Sequence, residues 1–168
     1  ARNPKNVLVI GGGMAGMICA KLAEDKGHNV TLIEKTSKLG GHLLEGAVID
    51  HKKEVDAYYE HLVREIRNSK VKVEYNTQAT KELVHKLKPD AVVIATGSVP
   101  VVPDVPGIDK PNVRIATTLL KNRQETGQNV IIVGGGLVGC ETGLYLAQKG
   151  KNVTIIDMLP EVAQDVIF

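Results

Sequence analysis

VLVIGGGMAGMICA, residues 7–20, is written a second time with small changes as VIIVGGGLVGCETG, residues 130–143. Each copy opens on four consecutive Val, Ile or Leu residues and runs into three glycines. A short, continuous apolar run bounded by glycine predicts a parallel strand covered on both faces. Beyond the glycines, Ala and Leu recur at helical spacing up to a Lys-Gly stop, and a second apolar strand follows at 30–34 and 153–157. Residues 7–35 lie over 130–158 at a constant offset of 123 with no gap, and every glycine of the loop recurs. The chain therefore carries two strand-helix-strand units of one design.

Gly11, Gly13 and Gly16 satisfy the pattern GxGxxG, as do Gly134, Gly136 and Gly139. In that pattern the first glycine makes a tight turn, the second lets the backbone approach a pyrophosphate, and the third lets the helix pack closely on the strand. The helices open with Met14 and Ala15 in one copy and Leu137 and Val138 in the other. Their unpaired first-turn N–H groups and the positive end of the helix dipole suit a diphosphate without a basic side chain. An acid stands eighteen residues beyond the last glycine in each copy, Glu34 and Asp157. At the end of the second strand such an acid accepts hydrogen bonds from ribose hydroxyls and repels a 2′-phosphate. Lys35 follows Glu34, whereas Met158 follows Asp157, and the missing basic residue there favours NADH over NADPH in the second site.

Between the copies, Val55, Tyr58, Tyr59, Leu62, Val63 and Ile66 recur at spacings of three and four, which predicts a surface helix over about 51–68. VKVEY and AVVIATG read as two further strands, separated by the helical pattern TKELVHKL. The alternation predicts an α/β fold, a doubly wound Rossmann-like domain over 1–98. Pro100, Pro103, Pro106 and Pro111 exclude a helix or interior strand, so 99–111 reads as a crossing and 112–168 as a second, partial βαβ unit.

A chain of 168 residues with 43% hydrophobic residues can fill a core, while a net charge of +2 and 3% aromatic residues supply neither a phosphate-tracking face nor a stacking platform. Nucleic acid is not an expected partner. No apolar run reaches the roughly 20 residues that cross a bilayer, and the first residues lack the apolar core of a signal peptide, so a cytoplasmic location is expected. Cys19 and Cys140 form no CxxC pair and read as small buried helix residues. His28, His42, His51, His61 and His85 share no metal-ligand spacing with Cys, Asp or Glu, and no metal site is expected. No residue is assigned a catalytic role. Glu141 reads as a polar residue near the start of its helix.

With these motifs in place, the chain resembles the C-terminal part of the old yellow enzyme-related flavoproteins, the family of dienoyl-CoA reductase, enoate reductase and trimethylamine dehydrogenase. The resemblance covers essentially the whole chain. It implies that the first unit binds FAD, or ADP alone, and that the inserted second unit binds NADH or NADPH. It places IEK with Glu34 on the adenosine ribose and KLGGHL with Gly40 and Gly41 near the phosphates, where a protonated His42 could join them. It sets Ala95, Thr96 and Gly97 of VVIATG against the dinucleotide and Glu141 of GGGLVGCETG at the nicotinamide site.

The resemblance further implies a preceding barrel domain carrying FMN, the substrate site and an iron–sulfur cluster, none of which this sequence contains. It also implies a continuation that finishes the second unit. The chain is thus expected to be a fragment of an electron-relaying enzyme, itself not catalytically competent, and either to self-associate through an unfinished sheet edge or to have a loosely ordered C-terminal third. An ADP-binding structural module and an interaction fragment with empty sites are the other readings.

Overall fold

The computed structural model describes residues 2–49 and 52–164. His51, the expected start of the helix over 51–68, and the last four residues lie outside that set. The chain divides into two units, one made of Ala1–Ala47 and Glu54–Val99, the other of Val48–Lys53 and Pro100–Phe168.

In the first unit the apolar runs become strands β1 (Asn6–Ile10) and β2 (Asn29–Ile33), joined by helix α1 (Met14–Asp25). The short helix α2 (Leu43–Gly46) and the longer α3 (Lys53–Arg67) lead to β3 (Lys72–Glu74), and α4 (Lys81–Leu87) leads to β4 (Ala91–Ile94). All pairings are parallel, and the strand order is β3-β2-β1-β4. The chain winds from β1 to one side and returns on the other, so the crevice of this Rossmann-like sheet opens at the carboxyl ends of β1 and β4. Alternate residues explain the layering. Val9, Val30 and Leu32 of the strands meet Met17 and Ala20 of α1 and Leu62 and Ile66 of α3 in one cluster. Leu32 has no exposed surface, and burying such a side chain contributes roughly 1.5–3 kcal/mol. Helix α4 starts where the Thr80 hydroxyl accepts the Leu83 N–H at 3.2 Å and stops at a left-handed Lys88 before Pro89.

In the second unit β5 (Asn129–Val133) and β6 (Asn152–Ile156) flank α6 (Leu137–Gln148), preceded by α5 (Ala116–Asn122). The repeat holds in register as well as in sequence: Asn6 pairs with Asn29 and Asn129 with Asn152, each at the same offset. Leu119 and Leu120 of α5, Tyr145 and Leu146 of α6, and Ile49 form its buried cluster. The sequence pattern did not predict α2 or α5; the four residues of α2 are too few to show a helical period. Cys19 and Cys140 are free and half-buried, short of the full burial expected for them. Among the described residues no helix is long and apolar enough to cross a membrane.

Candidate functional site

The first glycine loop is shaped by what surrounds it. Gly11 has φ +104°, and a Cβ there would stand 2.3 Å from the carbonyl oxygen of Ala95 at the end of β4. A Cβ on Gly16 would lie 1.8 Å from the carbonyl oxygen of Gly11, which is why α1 can seat against the turn only with glycine at that position. A Cβ on Gly12 would meet Leu39 at 2.4 Å. Gly13 differs: a Cβ there would meet nothing nearer than the Gly41 Cα at 4.0 Å. Open space therefore stands beside the residue that caps α1, and no side chain caps this helix or places an acid in its first turn. A diphosphate fits such a cradle, since the first-turn N–H groups of a helix have no partner within it and no side chain caps them here.

Two neighbouring segments complete the rim. The Gly40 N–H donates to the Gly12 carbonyl at 2.8 Å, and Gly13 and Gly40 form an isolated parallel bridge. The His42 ring spans 3.1 Å from Nε2 to the Ser98 carbonyl oxygen and 3.2 Å from Nδ1 to the Glu45 carboxylate. It joins the loop after β2 to the loop after β4, next to Gly97. Gly11, Gly13, Met14, Ala15, Gly16, Glu34, Gly40, Gly41, His42, Ala95, Thr96 and Gly97 thus belong to adjoining loops of one unit. Lys35 is exposed and, among the described residues, its side chain has no partner.

Glu34 does more than wait for a ligand. It is 8% exposed, and its Oε2 accepts the Gly12 N–H at 2.8 Å. Its Oε1 accepts both the Thr36 N–H and the Thr36 hydroxyl, each at 2.8 Å. The acid braces the glycine loop from the end of the neighbouring strand β2.

The second loop repeats this construction. Gly134 has φ +104°, a Cβ on Gly139 would lie 1.9 Å from the Gly134 carbonyl oxygen, and Gly136 caps α6 without any side-chain cap. Asp157 accepts the Gly135 N–H at 2.5 Å and the Leu159 N–H at 2.8 Å. The N–H groups of Leu159 and then Gly135 hold its carboxyl below the usual carboxylate range. The likeness runs past the last recognisable residue of the sequence repeat. Val162 approaches Gly135 as Leu39 approaches Gly12, and the Ala163 N–H donates to the Gly135 carbonyl at 2.7 Å as that of Gly40 does to Gly12.

Leu137 and Val138 are 45% and 50% exposed at the start of α6, beside Gly136. Glu141 forms an ion pair with Lys52, a partner that no spacing in the sequence indicates. Sequence reasoning also missed Thr36, Leu39, Val162 and Ala163. The last three could have been found by carrying the offset of 123 six residues further, which lays KLGG on EVAQ. Among the described residues no three His, Cys, Asp or Glu side chains gather where they could hold a metal ion.

Residues 5–167 match the model of the family described as pyridine nucleotide-disulphide oxidoreductase. The chain is 43% identical over 167 residues to a cinnamate reductase of Clostridium sporogenes, covering 98% of this chain and 24% of the relative. It is 40% identical over 165 residues to an NADH oxidase of Thermoanaerobacter brockii, covering 96% of this chain and 25% of that one. Among solved structures, a 2-naphthoyl-CoA reductase superposes with a TM-score of 0.92 at 33% identity, over 99% of this chain and 25% of the other. The chain thus spans about a quarter of the length of the proteins it matches.

Proposed function

We propose that this chain, which belongs to the pyridine nucleotide-disulphide oxidoreductase family, is the dinucleotide-binding part of a larger NADH-dependent flavoprotein. The observation that carries the reading is the pair of glycine loops built alike, each braced by an acid and each opening an uncapped helix. We assign the first, within residues 1–98, to FAD or its ADP portion and the second, within 112–168, to NADH. The crossing lies at 99–111. When bound, the nicotinamide supplies a hydride that the flavin accepts and passes on as electrons.

The chain's own residues bind and orient. In the first unit the backbone around Gly13 takes the diphosphate, with Met14, Ala15 and Gly16 turning first-turn N–H groups toward it. Glu34 takes the ribose, and the segments Gly40–His42 and Ala95–Gly97 line the path beyond. The His42 ring lies between the Ser98 carbonyl and the Glu45 carboxylate, so it links the loop after β2 to the loop after β4 more than it reaches a phosphate. In the second unit Gly134, Gly136, Leu137, Val138 and Gly139 form the corresponding cradle. Asp157, held ionised by two backbone N–H groups and followed by a fully exposed Met158, meets a 2′-phosphate with like charge and no base, which favours NADH. Glu141, paired with Lys52, lies one turn into α6 as a candidate for the nicotinamide side.

The names of the relatives support placing the parent among the old yellow enzyme-related reductases of unsaturated small substrates, with FMN and an iron–sulfur cluster in a partner barrel domain. A cytoplasmic location belongs to the same proposal, in keeping with two free thiols. The test is calorimetric titration of ADP and NADH into the wild-type chain, Gly13→Val and Gly136→Val, alongside the absorbance of the purified protein. Loss of ADP binding in the first variant and of NADH binding in the second supports the assignment, and a flavin spectrum identifies FAD in the first site. ADP binding that survives Gly13→Val and fails in Gly136→Val reverses it. Adenine absorbance without flavin favours a structural ADP module.

A further inference from the structure

We propose that Thr36 is a positioning residue for ribose recognition in the first loop, acting through Glu34; this rests on reading that loop as an adenine-nucleotide site. The Thr36 side chain stands 2.8 Å from both Glu34 Oε1 and the Lys38 carbonyl oxygen, and it accepts the Lys38 N–H at 3.4 Å. A hydroxyl carries one proton, and the carboxylate is the stronger of the two acceptors competing for it. Together with the N–H groups of Gly12 and Thr36, it places three donors around Glu34, each at 2.8 Å. An ionised carboxylate offers roughly four acceptor positions. Two of the three donors converge on Oε1, so the open position falls on Oε2, the oxygen that also holds the glycine loop through Gly12. A ribose hydroxyl donating there meets an acid whose torsions are already set and whose other oxygen needs nothing more.

The second loop lacks this device. At the offset of 123, Leu159 stands where Thr36 stands, and Asp157 receives two backbone N–H groups with no hydroxyl. The two sites, alike in backbone, therefore differ in the donors that hold the acid: a side-chain hydroxyl takes part only in the first. In the first site, the presentation of the acid to a ribose diol depends on residue 36.

The test compares ADP with 2′,3′-dideoxy-ADP by calorimetry in the wild-type chain, Thr36→Val, Thr36→Ser and Gly13→Val. Valine keeps the shape and removes the hydroxyl, so Thr36→Val is expected to bind ADP about fivefold more weakly while dideoxy-ADP is unchanged. Thr36→Ser is expected to restore the wild-type ratio. An unchanged ADP affinity in Thr36→Val, or an equal loss for both nucleotides, overturns the positioning role and leaves the nucleotide site standing. Absence of ADP binding in the wild-type chain, or ADP binding that survives Gly13→Val, overturns the site reading and this proposal with it.

Discussion

The carbonyl oxygen of Ala95 stands 2.3 Å from the point where a Cβ on Gly11 would lie, whereas around Gly134, with the same φ of +104°, nothing lies within 4 Å of that point. One turn geometry is thus enforced twice in the first unit, by its own φ and by the neighbouring strand β4, and once in the second.

That difference predicts unequal responses to alanine. Gly134→Ala meets only the cost of a left-handed residue, roughly 1–2 kcal/mol. Gly11→Ala adds a backbone overlap and is expected to cost more than about 3 kcal/mol. Hydrogen exchange of the α1 and α6 amides reads the two units separately, and equal losses of protection would mean that Ala95 does not constrain the first turn.

Removing the Glu34 carboxylate leaves the Gly12 and Thr36 N–H groups without an acceptor in a nearly buried place. Glu34→Ala is therefore expected to destabilise the first unit by about 1–3 kcal/mol even without a nucleotide. Urea unfolding followed by exchange at α1 measures this. A midpoint identical to that of the wild-type chain would reduce Glu34 to a ligand contact.

Asp157 titrates below its ordinary value of 3.8 because it accepts the N–H groups of Leu159 and Gly135. A carboxyl whose folded pKa is depressed contributes stability above the unfolded value and loses it as pH falls through the folded one. The turn over 157–163 is expected to hold near neutrality and to loosen only on acidification below about pH 3.8. Carbon-13 titration of the Asp157 carboxyl gives the midpoint directly, and Asp157→Asn should remove this part of the acid response. A midpoint above 3.8 contradicts the two hydrogen bonds.

Among the described residues β5 has a single strand neighbour, and Ile131 and Val133 are 66% and 74% exposed beside a half-exposed Ile156. A contiguous apolar surface of this kind favours association. The chain is expected to self-associate with rising concentration, and Ile131→Lys with Val133→Lys to shift it to monomer in light scattering. A monomer at every concentration in the wild-type chain contradicts this.

The sequence determined by itself that two strand-glycine-helix units exist, where their turns fall and which acids close them. Those features are local: the apolar period, the glycine spacing and the distance to Glu34 and Asp157 are all written within about thirty residues. Residues whose role depends on how a turn or a returning segment folds carried no such mark. Thr36 matters because the turn after β2 folds its hydroxyl onto Glu34, and Val162 and Ala163 matter because their segment returns over Gly135 although the sequence likeness has faded. Backbone hydrogen bonding tolerates Leu39 against Val162 and Gly40 against Ala163, so geometry is kept where residue identity is not. Only the tertiary structure decided the pairing of Glu141 with Lys52 and the clasp of His42 on Ser98, because each joins residues more than fifty positions apart that meet only when the elements between them pack.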